Sequence, residues 1–142
     1  MANIPLLATI ATLKAQGPET ASTTGAVVVL GGPSSHIAAG PGFWLATVAL
    51  TAMSGTTPSL LVVLEGSQNG GGTWQELAVI GADGVRTWGM TALPSAFTAP
   101  TTVQAPCPAQ SAHLRYRSII GGGTPSVTYS VVVQFFMNPD HA

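Results

Sequence analysis

From residue 26 onward the chain is a succession of short runs of Val, Leu, Ile and Thr, separated by clusters of Gly, Pro, Ser and Asn. β-branched side chains favour extended backbone, while Gly and Pro mark where a ladder stops or turns, so this punctuation points to an all-β sandwich or barrel. The run 26–30 (AVVVL) halts at Gly31-Gly32-Pro33. The run 43–50 alternates Phe43, Leu45, Thr47 and Ala49 with Trp44, Ala46, Val48 and Leu50. Both of its faces are mostly apolar, as in an inner strand. Residues 59–65 and 73–80 flank the glycine-rich stretch 66–72 and are expected to form a hairpin. A weaker strand is expected at 85–90. Pro94, Pro100, Pro106 and Pro108 make 93–108 a long, largely irregular excursion. Residues 113–120 and 126–136 surround Gly121-Gly-Gly-Thr-Pro125 and are expected to form a second hairpin, with His113, Arg115 and Arg117 on one strand face.

Residues 1–25 read in two ways. Leu6, Leu7, Ile10 and Leu13 suit a helical stripe, whereas Pro5, Pro18 and the Thr-rich stretch 20–24 favour an extended arm, which we prefer. The expected organisation is therefore an N-terminal arm or first strand over 1–25 and a β-sandwich domain over 26–142. The fold class is a single-domain antiparallel β-sandwich, jelly-roll-like with an extended N-terminal arm. Short strands at this spacing also fit an immunoglobulin-like topology.

Charge is the second constraint. Four basic and five acidic side chains make up 6% of the residues, against roughly a quarter in ordinary soluble domains. A surface so poor in charge is weakly protected against self-association, which implies that other protein normally covers much of it. A net charge of −1 offers no basic patch for phosphates, so nucleic acid is not an expected partner. No apolar run reaches the ~18–20 residues of a membrane helix, and no membrane partner is expected. The single Cys107, between Pro106 and Pro108, has no second cysteine to bridge, which fits assembly in a reducing cytoplasm.

Catalytic chemistry finds little support. His36, His113 and His141 are widely spaced and lie near no cysteine pair, so no metal or cofactor is expected. There is no nucleophile elbow around any serine. Glu65 and Glu76 flank one loop and are the only carboxylates placed for a paired role, although solvated strand ends are the commoner outcome. Gly70-Gly71-Gly72 lacks the Lys-Ser/Thr of a phosphate cradle. Trp44, Trp74 and Trp88 would give a sugar-stacking platform if exposed. Arg115 and Arg117 are suited to bidentate pairing with Glu65, Glu76 or Asp83, across a subunit boundary or on a solvated face.

Two segments carry a family likeness: 60–77 (LLVVLEGSQNGGGTWQEL) and 113–133 (HLRYRSIIGGGTPSVTYSVVV). Together they resemble the small jelly-roll capsid cement, or decoration, proteins of tailed phages. Similar hairpins occur in phage tail proteins and in sugar-binding sandwiches. The resemblance implies a non-enzymatic homo-oligomer, a dimer or trimer, assembled in the host cytoplasm and seated on the outside of an icosahedral shell. There it would clamp neighbouring major capsid subunits. The expected contacts are Ile4, Leu6, Leu7 and Ile10 in the arm, Phe97 and Val103 in the proline-rich excursion, the 66–72 loop, and Arg115 and Arg117. The alternative is a carbohydrate- or receptor-binding module of a phage tail or fibre.

Overall fold

The computed structural model describes residues 7–29, 42–67, 69–87, 92–108 and 113–137. The expected all-β class is what forms. Among the described residues seven strands occur in the order β1 (Leu7–Glu19), β2 (Val28–Val29), β3 (Gly42–Ser67), β4 (Gln75–Gly81), β5 (Gly84–Thr87), β6 (Thr101–Pro108) and β7 (His113–Met137). All pair antiparallel in one sheet, ordered β1-β7-β3-β4-β5, with β2 also on β7 and β6 also on β3.

β3 and β7 run side by side for their whole length, from Gly42 against Met137 to Ser67 against His113. Their ladder is irregular only around 50–59 and the facing 121–129. There the two strands bend together, so the sheet folds over and makes a sandwich from its own halves. The first layer holds β1, the second half of β7, the first half of β3, and β6. The second layer holds β2, the first half of β7, the second half of β3, β4 and β5. Tyr116 and Tyr129 lie on opposite halves of β7, yet their rings meet edge to face with centroids 6.4 Å apart.

Two sequence readings are corrected by this arrangement. Residues 113–120 and 126–136 do not form a hairpin; they are halves of one bent strand, and both pair with β3. Residues 43–50 and 59–65 are likewise halves of one strand. The expected hairpin between 59–65 and 73–80 does form, with a bulge at Leu64/Glu65. The region 93–108 is less irregular than its prolines suggested, because Thr101–Pro108 pairs with β3 as an edge strand. An edge is where proline's missing N–H is tolerated. The expected N-terminal arm is extended, and its described part is integrated into the sheet as β1, paired with β7.

The bend is encoded twice. Gly55-Thr56-Thr57-Pro58-Ser59 and Gly122-Gly123-Thr124-Pro125-Ser126 share a Gly-x-Thr-Pro-Ser pattern and sit opposite each other at the fold line. Gly55 and Gly122 have φ of 114° and 110°. A Cβ on Gly55 would lie 2.7 Å from the Thr124 carbonyl oxygen, and one on Gly122 would lie 2.8 Å from the Thr56 carbonyl oxygen. Each corner thus needs glycine because the other corner's backbone occupies the side-chain position. Thr57 and Thr124 also take left-handed φ, 46° and 42°. β-branched residues avoid this region, so the crossing holds local strain that the surrounding ladders must offset.

The folded sheet turns one face inward. Ala46, Val48, Leu50, Leu60, Val62 and Leu64 of β3 pack with Leu114, Tyr116, Val127, Tyr129, Val131 and Val133 of β7 in a single core. Phe97 closes it by exchanging backbone hydrogen bonds with Leu60 and is fully buried. Replacing Gly55 or Gly122 by Ala should therefore lower unfolding free energy by on the order of 2–4 kcal/mol, combining left-handed strain with a backbone clash. Gly70→Asn should be near neutral, because φ there is +74° with open space around the missing Cβ and Asn tolerates that region. Urea denaturation of the three variants checks this.

Candidate functional site

The two outer faces of the sandwich differ in chemistry. On the second layer, antiparallel register aligns Arg117, Val63, Val79 and Arg86 in one row, and Arg115, Glu65 and Glu76 in the next. Arg115 Nε donates to Glu65 Oε1 at 2.8 Å and Arg117 Nε reaches Glu65 Oε2 at 3.4 Å. Arg86 pairs with Glu76 at 2.6 Å. The Arg115 guanidinium also lies over the Trp74 ring, 4.1 Å from its centroid, a cation–π contact. Val63 and Val79 are buried on this outer face, where the stems of Arg117 and Arg86 stand on either side of them in the row.

Arg115 and Arg117 do share a face and do meet a carboxylate, as their spacing implied, but the partner is Glu65 of the same chain. Glu65 and Glu76 also come together, facing each other across the β3/β4 ladder. Each is held by guanidinium, which keeps both as ion-pair partners. Asp83 accepts a hydrogen bond from the Ser95 backbone N–H at 2.6 Å.

The remaining described charges, Lys14 and Glu19, sit where β1 leaves the first layer and the chain crosses to the second. Glu19 Oε1 accepts from the Tyr129 hydroxyl at 2.6 Å and the Ser118 hydroxyl at 2.9 Å, while Oε2 accepts from the Tyr116 hydroxyl. One carboxylate therefore joins side chains from both layers. Lys14 Nζ lies 4.3 Å from the Tyr129 ring centroid and donates to the carbonyls of Gly17, at 2.7 Å, and Tyr129, at 2.9 Å. Burial pushes the Tyr116 and Tyr129 hydroxyls well above the ordinary phenol range, and the hydrogen bond and negative charge of Glu19 add to it. Burial lowers Lys14, against the opposing pull of Glu19.

The first layer's outer face has no charge among its described side chains. One register row across it reads Thr12, Val132, Thr47 and Gln104, and the next places Gln134, Leu45 and Pro106 side by side. The uncharged polar and apolar groups make a surface from which water is removed at low desolvation cost.

The expected contact residues are scattered over this framework. Ile4 and Leu6 lie outside the described residues, as do His36, His141, Trp88 and Asp140. Leu7 and Ile10 are placed by backbone at the start of β1, against Met137 and Gln134. Val103 is partly buried against the core. Phe97, expected at a contact, is corrected to a core residue, with 0% of its side chain left for a neighbour. The 66–72 loop holds itself: Ser67 Oγ accepts from Gly71 N at 2.8 Å, and Asn69 Oδ1 accepts from Thr73 N at 2.8 Å. Sequence reasoning missed the Glu19 cluster, whose only signal was an acidic residue in a Thr-rich stretch remote from both tyrosines. Among the described residues no three His, Cys, Asp or Glu side chains stand together as metal ligands.

No protein-family model matches the chain, and no curated protein matches it.

The tyrosine shifts have a pH signature. A phenol whose folded pKa is raised contributes stability that is complete below its unfolded value, near 10, and is lost as pH climbs from there toward the folded value. Lys14, shifted down, acts with the opposite sign just below the same pH. The two tyrosines outweigh it, so stability should fall above about pH 10. Tyr129→Phe should cost about 1–3 kcal/mol at neutral pH through the lost bond to Glu19, and should flatten the alkaline decline. Denaturation midpoints from pH 7 to 11 check both statements.

Proposed function

We propose that this protein is a structural virion component: a capsid cement or decoration protein that docks on the outside of a tailed-phage shell and clamps neighbouring major capsid subunits. The observation that carries the reading is the division of charge between the two outer faces. Every described charged side chain is engaged within the chain, and among the described side chains the first layer's outer face carries none. Such a surface costs little to desolvate and offers no single charged group on which recognition would turn. It suits repeated, modest contacts whose strength comes from many symmetry-related copies acting on one shell, where avidity replaces affinity.

The resemblance of 60–77 and 113–133 to decoration proteins supports the same reading, and so does the sandwich that both segments build. The tail- or fibre-type carbohydrate reading gains less from the site. Trp74 has one face of its ring occupied by Arg115, which removes that face as a sugar-stacking platform.

Co-sedimentation with purified phage shells tests the proposal. The protein should pellet with shells and raise their melting temperature. The double variant Thr12→Lys with Gln104→Lys, at opposite ends of the row, should weaken retention roughly tenfold or more by placing unpaired charge in the contact. Its own unfolding midpoint should change little, because both positions face outward. Failure of the wild-type protein to bind shells, or full retention of the double variant, would overturn the reading.

A further inference from the structure

The ion pairs of the second layer leave one cation over. Arg115 and Arg117 share the single Glu65 carboxylate, and they share it unequally, with Nε to oxygen distances of 2.8 Å and 3.4 Å. Arg115 also stacks on the Trp74 ring, and Glu76 is held by Arg86. The long bond from Nε is the one hydrogen bond that Arg117 makes to a described residue. A guanidinium carries its donors in a rigid fork, so both Nη groups of Arg117 are left without a protein acceptor among the described residues.

Arg117 forms part of the lining of a groove of about 360 Å³, together with Ser22, Thr23, Thr24, Ser118 and Ile119. The wall facing it is held firmly. Ser118 N donates to Thr23 O at 2.8 Å, Thr23 N donates to Ser118 Oγ at 2.9 Å, and Ile120 N donates to Ser22 Oγ at 2.9 Å. Gly25 N donates to Tyr116 O at 2.9 Å, and a Cβ at Gly25 would collide with the Tyr116 ring, so the segment lies closer to β7 than a larger residue permits. Thr24 bridges Arg117 directly, in the non-hydrogen-bonded antiparallel relation that brings two side chains together on one face. Its exposed hydroxyl makes no hydrogen bond to a described residue. Ile119, two positions along β7 from Arg117, shares that face and is 42% exposed.

The geometry points to this groove as a binding site for a carboxylate that carries a small aliphatic group. A planar carboxylate matches the Arg117 fork bidentately, and the Thr24 hydroxyl supplies a further donor. Arg115 keeps Glu65 neutralised, so the surplus at Arg117 is one positive charge, which a monoanion balances. A phosphate dianion would leave net negative charge beside Glu65 and gain less. Ile119 offers the apolar contact for the aliphatic part, and the anchored 22–25 segment spares the site the cost of ordering on binding. The groove lies on the layer opposite the surface proposed to meet a shell, and the inference does not rest on that reading.

Titration with sodium butyrate at constant ionic strength, followed by amide and Arg Nε–H NMR shifts, tests the site. Saturable shifts are expected at residues 22–24 and 117–119 and at Arg117 Nε, with none from butyramide. Arg117→Gln should weaken binding roughly tenfold or more and Thr24→Val roughly threefold, with unfolding midpoints near wild type because neither side chain is buried. Gln104→Lys, which adds a cation on the opposite layer, should leave butyrate affinity unchanged. N-acetyl-Ala-Leu separates two sources of the same chemistry: binding at least as tight as butyrate assigns a polypeptide C-terminus, and weaker binding assigns a free small acid. Absence of saturable shifts, equal response to butyramide, phosphate matching butyrate as a bare counter-ion, or an Arg117→Gln variant that binds like wild type would each overturn the inference.

Discussion

Two backbone turns pressed against each other organise this molecule. Where β3 and β7 fold over, the Gly55 and Gly122 positions are filled by the opposing strand's carbonyl oxygens and proline Cα atoms, at 2.7–2.9 Å from where a Cβ would sit. A sheet of this length and twist must curl, split or close, and here it creases along a line that both central strands share. Everything inside the sandwich follows from the crease. It brings Tyr116 over Tyr129, sets Leu60 and Leu64 beneath the halves of β7, and creates the flank that Glu19 spans.

Glu19 works at the side of the crease where β1 ends. The chain crosses between layers through 20–23, and the carboxylate accepts hydrogen bonds from hydroxyls of both layers at that crossing. Burying a carboxylate is costly unless its lone pairs are satisfied. Three hydroxyl donors meet that demand without a counter-charge in direct contact. The ladders hold strands together within a layer, and this cluster ties one layer to the other where backbone hydrogen bonding is sparse.

Strand content was legible in the sequence because β-branched runs and Gly/Pro punctuation act locally. The 59–65/73–80 hairpin was legible for the same reason, its turn chemistry lying within one short stretch. The pairing of β3 with β7 was not, since Gly121–Pro125 looks like an ordinary hairpin turn until Gly55–Ser59 is set beside it, and only the repeated Gly-x-Thr-Pro-Ser hints that the two belong together. Proline misled at 101–108, where edge placement removes the penalty assumed for a ladder. Phe97 was assigned to a contact on the strength of its proline-rich surroundings, yet a lone aromatic in an irregular segment is also how a loop pins itself to a core. The scarcity of charge was visible at once. Its segregation to one face depends on the register of β3, β4, β5 and β7 together, which no single run discloses.

β1 finds its ladder partner in β7, the last strand in chain order, and β2 does the same. A ribosome releases the N-terminal strands long before the surface they need exists, so neither layer can be completed until β7 has emerged. Closure waits for contacts of high sequence separation, which makes folding slow. Lys14, the bulges and Pro18 in β1 then have a role before the native state forms, keeping a waiting strand from pairing with the wrong neighbour on a crowded polysome.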